Sequence, residues 1–311
     1  MTHKCSCKRF PRGSFLLFLY GSLLVSCTSH EPKPVPKVMA PLPIPSASAP
    51  PVVEPPRPQN VLGEFQTLYD FKGVKYEGRA KNIQHVVNKI SGKELDPGEA
   101  FSFNQIVGPR TVKNGFFTAK EIYFGEMVDG IGGGTCQVSS TLFTAVLYAD
   151  LEITERRNHS RPLKYIGRGL DATVAFADEA VCKKDPGNCP DFKFKNPNPF
   201  PVKVSAEIGS EGEKRKVTLR ILGEGTRPSI KVFWTAYQTS PFEKRMRKTG
   251  KFLGEYKKRV QTGSDGIQGS LVIQGGRNPR RILSKYDPVD EIWEVGLDFN
   301  SDVGPPWERP Q

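Results

Sequence analysis

Apolar positions follow three regimes along this chain. Residues 15–25 form an unbroken apolar run. Residues 28–60 show no apolar periodicity. From residue 62 onward, short stretches take up helical or strand spacing. In that third regime, residues 62–69 read as a strand. Ile83, Val86, Val87 and Ile90 then recur on one face of a helix predicted over residues 82–90. Asp96-Pro97-Gly98 makes a turn into a strand that begins at Ala100. The strongest local pattern lies between residues 130 and 150. Val138, Leu142, Ala145, Val146 and Ala149 recur at helical spacing behind three successive glycines, Gly132, Gly133 and Gly134. Glycine costs about 1 kcal/mol in a helix interior, so this helix is expected to begin near Thr135 or Cys136. The sulfur would then lie in its first turn.

Strand-like stretches follow at residues 152–157, 172–176, 192–195, 202–208 and 216–222, with the prolines at 197, 199 and 201 marking a loop. Residues 224–298 read as a small all-β module, with strands near 232–237, 251–261, 269–273 and 292–295 and little core of its own. The pattern as a whole predicts an α+β fold. A central helix carries the Gly-Gly-Gly-Thr-Cys segment at its N-terminus and packs against a mostly antiparallel sheet. The expected parts are residues 1–27, 28–60, 61–223, 224–298 and a tail over 299–311.

Composition refines the first two regimes. The chain has 311 residues, 27 of them proline, and much of the proline precedes residue 60. Residues 28–60 are therefore expected to be an extended polyproline tether. Lys4, Lys8, Arg9 and Arg12 precede the first apolar run, which ends in Leu24-Val25-Ser26-Cys27. A basic start, a short apolar run and a terminal cysteine read as an export signal with lipidation of Cys27, an ordinary signal cleaved near Ser26 being the alternative. The formal charge is +12, or about +8 without that segment. Such an excess suits anionic lipids or acidic wall polymers. An exported address argues against a nucleic-acid partner.

Cysteine usage points to the chemistry. Cys182 and Cys189 bracket a loop with turn residues at its centre. In an oxidising compartment they are the natural disulfide pair, the weaker alternative being a two-thiolate metal site. Cys136 is then an odd thiol that needs a reason. Asp96-Pro-Gly-Glu-Ala-Phe-Ser-Phe-Asn104, Val107-Gly-Pro-Arg-Thr111, Gly130-Ile-Gly-Gly-Gly-Thr-Cys-Gln-Val-Ser-Ser-Thr-Leu142, Glu155-Arg156 with His159-Ser160, Gly169-Leu-Asp-Ala-Thr-Val174 and Asp191-Phe-Lys-Phe-Lys-Asn196 together resemble the VanW family, in order, over residues 62–223. The stretch around Val260-Gln-Thr-Gly and Asp287 to Gly296 looks more loosely like a G-five type wall-binding module.

The resemblance implies an exported, wall-associated protein from a family named after vancomycin-resistance clusters. It also implies a cysteine L,D-transpeptidase-like acyl transfer on peptidoglycan stem peptides, with Cys136 as nucleophile. His159 is the candidate base and Asp171 the residue that orients its imidazole. Gly133, Gly134 and the backbone at Cys136 and Gln137 are candidate oxyanion donors, and Arg161 a candidate clamp for a substrate carboxylate. The bland readings are an inert buried thiol, a structural His159, an Asp171 that caps a turn and an Arg161 paired with Glu155. No cofactor or metal is expected, since one plausible histidine cannot build an open zinc site. The expected state is a monomer. The alternative function is noncatalytic peptidoglycan binding in glycopeptide resistance or wall maintenance.

Overall fold

The computed structural model describes residues 59–307 except 124–125, 177–178, 252–253, 255, 278–279, 301 and 303–304. The export segment, Cys27 and all but the last two residues of the tether lie outside the described residues. Residues 55–311 form one compact unit. In chain order it runs through strand β1 (Asn60–Tyr69), helix α1 (Val74–Ile90), strands β2 (Glu94–Leu95) and β3 (Ala100–Ser102), and helix α2 (Phe103–Val107). Next come β4 (Thr118–Tyr123), β5 (Glu126–Ile131), helix α3 (Thr135–Tyr148), β6 (Glu152–Glu155), helix α4 (Glu179–Lys184) and β7 (Lys193–Lys195). The chain ends in β8 (Val202–Glu211), β9 (Lys214–Gly223), β10 (Lys231–Ser240), β11 (Lys244–Thr249), β12 (Lys257–Gln261), β13 (Gly266–Gln274), β14 (Arg280–Tyr286) and β15 (Glu291–Gly296). The architecture is α+β with few helices, mostly antiparallel sheets and an all-β C-terminal region.

A four-stranded antiparallel sheet in the order β1-β9-β8-β2 carries α1 and α3. Helix α3 is covered nearly all round, from Thr135 to Leu147. A helix with that burial needs partners for every polar side chain. Ser139 donates to the Ala172 carbonyl (2.6 Å) and Thr144 to that of Leu170 (3.0 Å), while Ser140 accepts from the Ala172 amide (3.0 Å). Thr141 meets Thr67 of β1 at 2.8 Å. The hydroxyls of α3 thus clamp the backbone on either side of Asp171.

Those clamps explain why residues 172–176 do not form the strand that their composition predicts. The segment is extended, but the Ala172 carbonyl is taken by α3. Its backbone–backbone bonds are single ones to three separate segments, from Thr173 N–H to Arg157 (2.7 Å), from Ala175 N–H to Pro190 (2.9 Å) and from Arg110 N–H to Phe176 (2.7 Å). Helix α1 begins at Val74 rather than near residue 82; its first two turns are exposed or half-buried and carry no apolar stripe, so the periodicity does not announce them. The β4–β5 hairpin, β11 and β14 lack clear alternation and have no counterpart in the sequence reading.

The C-terminal region holds two three-stranded sheets, β10-β13-β14 and β11-β15-β12, with β11 and β15 parallel. Leu271 and Ile273 of β13 pack with Leu147 of α3. Asp150, just past the end of α3, holds a left-handed backbone (φ 54°), accepts from the Arg277 amide (2.7 Å) and pairs with Arg280 (3.4 Å). Among the described residues no helix is long and apolar enough to cross a membrane.

Strand β1 approaches α3 closely at Gly63. A Cβ there would sit 2.3 Å from the Ala145 carbonyl oxygen and 2.4 Å from the Ala149 amide. Both are backbone atoms that cannot swing aside. Gly63→Ala is expected to cost roughly 1–3 kcal/mol and to lower the urea midpoint without changing the slope. An unchanged midpoint would contradict this close packing.

Candidate active site around Cys136

The glycine turn before α3 is fixed from three sides. Gly132 (φ 97°) and Gly134 (φ 104°) take backbone conformations that side chains rarely adopt, and Gly134 is the N-cap of α3. Buried Asn82 of α1 donates to the carbonyls of Gly133 (3.0 Å) and Phe117 (2.9 Å). Thr135 Oγ1 donates to the Gly132 carbonyl at 2.6 Å. This turn places Cys136 in the first turn of α3, half-buried, and it is the free cysteine among the described residues. Its Sγ donates to the Val174 carbonyl at 3.4 Å.

His159 is buried beside the Cys136 thiol, and the two side chains interact. Its Nδ1 meets Asp171 Oδ2 at 2.8 Å, and its backbone N–H donates to the same oxygen at 2.6 Å. The Nδ1–carboxylate bond leaves Nε2 to face sulfur. Asp171 Oδ1 accepts from Tyr286 Oη (2.5 Å) and from Arg156 Nη2 (3.2 Å). Cys136, His159 and Asp171, the candidate nucleophile, base and orienter, thus lie together, with His159 bonded to Asp171.

Electrostatics follow from that chain. Burial pushes the Cys136 thiol up, but the interaction with His159 and its charge, with the Arg110 guanidinium, outweigh it and leave the thiol below its ordinary value. Burial alone would depress His159. Its hydrogen bond to Asp171 and its pairing with Cys136 instead raise it to about 9. Asp171 would be raised by burial, yet the His159 hydrogen bond and charge, with Arg156 and Tyr286, hold it below the usual carboxylate range. These shifts bias the pair toward thiolate and imidazolium, held over a carboxylate.

Two site residues have no counterpart in the sequence reading. Arg110 is buried beside Cys136, and burial lowers it to about 10, which still leaves it cationic at neutral pH. It donates from Nη1 to the Gly108 carbonyl (2.6 Å) and from Nη2 to Asn104 Oδ1 (2.7 Å), while its Nε is buried without a partner. Asn104 is anchored in turn by the buried Asp191, whose Oδ1 accepts its N–H at 2.8 Å. The Val107-Gly-Pro-Arg-Thr111 and Asp191 motifs were visible in the sequence, but nothing in their spacing tied Arg110 to sulfur. Tyr165 is half-buried near Cys136 and hydrogen-bonded to Ser140. Burial and the Cys136 charge push its phenol well above the usual range. It had no signal beyond its place between two motifs.

Gln137 is a correction. Its side chain is buried, accepting from Arg79 Nη2 (2.7 Å) and donating to Thr67 Oγ1 (2.9 Å) and the Leu68 carbonyl (3.0 Å). Its N–H is held by the Gly134 carbonyl (3.0 Å), so it braces β1 and α1 instead of facing a substrate. The Thr135 N–H is likewise held by Gly132 (3.1 Å). The remaining amides of the turn, at Gly133, Gly134 and Cys136, are the oxyanion candidates. Arg161 is half-buried and engaged in an interaction of its own. Cys182 and Cys189 form a disulfide with Cα atoms 5.4 Å apart. Among the described residues there is no His/Cys/Asp/Glu cluster able to hold a metal ion.

Comparison with known proteins matches residues 78–222 to the model of the VanW like protein family. The chain carries a VanW domain. Over 146 residues it is 38% identical to the uncharacterized protein YoaR of Bacillus subtilis (strain 168), covering 47% of this chain and 44% of that protein. Over 110 residues it is 27% identical to the vancomycin B-type resistance protein VanW of Enterococcus faecalis (strain ATCC 700802 / V583), covering 34% of this chain and 40% of that protein. The chain thus spans less than half the length of either relative. Cys136, His159, Asp171 and Arg110 all fall inside the VanW domain, whereas Tyr286 falls outside it.

Arg110 acts on sulfur as a fixed charge. Arg110→Met is expected to raise the Cys136 thiol titration by up to about one pH unit, an approximately tenfold slower alkylation at neutral pH. Site-resolved iodoacetamide labelling against pH checks this, and an unmoved profile in folded protein would remove Arg110 from the site.

Proposed function

We propose that this chain is an exported, lipid-anchored cell-envelope protein that performs cysteine-dependent acyl transfer on peptidoglycan stem peptides. One observation carries the reading: His159, bonded to the Asp171 carboxylate, stands beside Cys136 at a glycine turn, and their interaction biases the thiol toward thiolate. The printed name of the Enterococcus faecalis relative, a vancomycin-resistance protein, supports an envelope setting. The basic, apolar and Cys27 segments at the start of the chain support export and lipidation.

The chemistry balances with the groups present. The Cys136 thiolate attacks a stem-peptide carbonyl, forming a C–S bond. Amides of Gly133, Gly134 and Cys136 meet the developing oxyanion. The C–N bond then breaks as the His159 imidazolium gives its proton to the leaving amine. A neighbouring stem amine attacks the thioester, His159 takes the amine proton, a new C–N bond forms and the thiolate leaves. Water in place of the amine would give hydrolysis. Arg161, on the His159 loop, is the proposed clamp for a substrate carboxylate.

A second reading, wall binding without catalysis, draws on the basic strands β11 and β12. These carry Lys244, Arg245, Arg247 and Lys248, and Lys257, Lys258 and Arg259. Charge alone would hold such a protein on an anionic polymer.

Incubation with muropeptides separates the two. New cross-linked or trimmed muropeptides with the wild type, lost in Cys136→Ala while wall binding persists, are the expected result. Identical muropeptide profiles for both proteins would leave the binding reading standing. The pH dependence of the transfer is a further expectation. Activity should rise as the depressed thiol ionises and fall above about pH 9, where His159 loses the proton that the leaving amine needs. Activity that keeps climbing beyond roughly pH 10 would contradict His159 as the acid.

A further inference from the structure

The geometry points to Tyr286, on a strand outside the VanW domain, as a positioning residue for the Cys136–His159 pair that acts through Asp171. This inference rests on the acyl-transfer reading above and names a part of the machinery that the VanW domain does not contain.

The phenol does two things at once. It donates to Asp171 Oδ1 at 2.5 Å and accepts from the Gly169 amide at 2.6 Å. Tyr286 is 2% exposed, and its ring lies 6.0 Å from that of Trp234. Trp234 in turn sits flush on Gly169, where a Cβ would be 3.0 Å from the indole and where φ is +79°. The phenol is therefore held between the backbone before Asp171 and the carboxylate itself.

The same strand grips the neighbourhood by a second route. Arg156 Nη1 donates to Ser284 Oγ (2.7 Å), while its Nη2 reaches Asp171 Oδ1 and the Gly169 carbonyl (3.1 Å) and its Nε reaches the Asp171 carbonyl (2.7 Å). Around the His159 loop, Asn158 donates to the Lys285 carbonyl (2.6 Å) and the Asp287 amide to the Ser160 carbonyl (2.6 Å). Strand β14 and its following turn thus hold the loop that carries His159 and the segment that carries Asp171. Helix α3 holds Cys136 and the other side of the Asp171 segment. The spacing from sulfur to imidazole to carboxylate is set by both supports together.

Removal of the hydroxyl would leave Oδ1 with Arg156 alone, at the longer distance of 3.2 Å. The carboxylate could then rotate off the imidazole, and the imidazolium would support the thiolate less well. The charged and titratable groups facing this chain are His159, Arg110 and Tyr165 at the sulfur, and Arg156, His159 and Tyr286 at the carboxylate. The variant changes one of them and keeps its ring.

The test uses full-length wild type, Tyr286→Phe and Ser284→Ala. Alkylation of Cys136 is followed by mass spectrometry over roughly pH 5–10, with thermal melts in parallel. Tyr286→Phe is expected to move the thiol profile up by about half to one pH unit, a roughly three- to tenfold slower reaction at neutral pH. Ser284→Ala should move it the same way by less, because Arg156 keeps its other partners. A melt that drops while the profile stays put would mean that Tyr286 only supports the fold, and would overturn the inference while leaving Cys136 and His159 in place. Should Tyr286→Phe not fold, Ser284→Ala decides alone: an upward shift supports the inference and an unmoved profile overturns it. A wild-type profile at the ordinary free-thiol value would overturn the inference together with the proposed function.

Discussion

The structure turns on one buried carboxylate. Asp171 is 1% exposed, and a bare charge at that depth would cost several kcal/mol. It is tolerated because both oxygens are occupied. Oδ2 takes the backbone and ring nitrogens of His159, and Oδ1 takes the Tyr286 phenol and the Arg156 guanidinium. The donors come from two distant stretches of the chain, residues 156–159 and Tyr286. Satisfying the charge therefore forces the His159 loop, the Arg156 strand end and β14 to converge. In this sense the geometry of the candidate site and the tertiary packing are a single requirement.

Helix α3 supplies the complementary constraint. A helix buried on nearly every side, with Ser139, Ser140, Thr141 and Thr144 along it, has hydroxyls that must bond somewhere. They bond to their own preceding turn and to the backbone on either side of Asp171, which orders an extended segment that has no sheet to join. At its N-terminus, positive-φ glycines end the β4–β5 hairpin and start the helix within three residues. Side chains at Gly132 and Gly134 would be strained and would meet Arg110, Arg79 or Ile83. The glycine run is thus required by packing as well as by any substrate.

Much of this is legible in the sequence, and the limits are physical. The start of α3 can be read because glycine propensity and apolar periodicity change at the same point, beside Thr135. His159 and Asp171 can be picked out as candidates because both lie within the motif-bearing stretch, and the structure bonds them to each other. Gln137 is misjudged because adjacency in sequence is mistaken for a shared direction. Its amide is taken by the helix start, and its side chain points to β1 and Arg79. Arg110 and Tyr286 are missed for a different reason: each reaches the site through tertiary contact, one from a short loop and one from a strand without alternation. A strand such as β14, whose burial alternates while its residue types (Arg-Arg-Ile-Leu-Ser-Lys-Tyr) do not, leaves little periodic trace in the sequence. The segment at 172–176 has strand composition, but its hydrogen bonds are divided between helix hydroxyls at Ala172 and single backbone bonds to Arg157, Pro190 and Arg110, which no local pattern encodes.

The two cations beside sulfur divide the work by how firmly each holds its proton. Arg110, at about 10, stays charged across the neutral range and favours the thiolate throughout. His159 stands near 9 because Asp171 and the ionised Cys136 together outweigh its burial. In the proposed acyl transfer, thioester formation removes the sulfur charge. One of the two supports for the imidazolium is then lost, while burial continues to push the imidazole down. A group that holds its proton firmly before attack thus gives it up more readily to the leaving amine. It is then left neutral when the acceptor amine needs a base. The reversal requires no movement of the protein, only a rigid Asp171 that keeps the imidazole facing sulfur in both states.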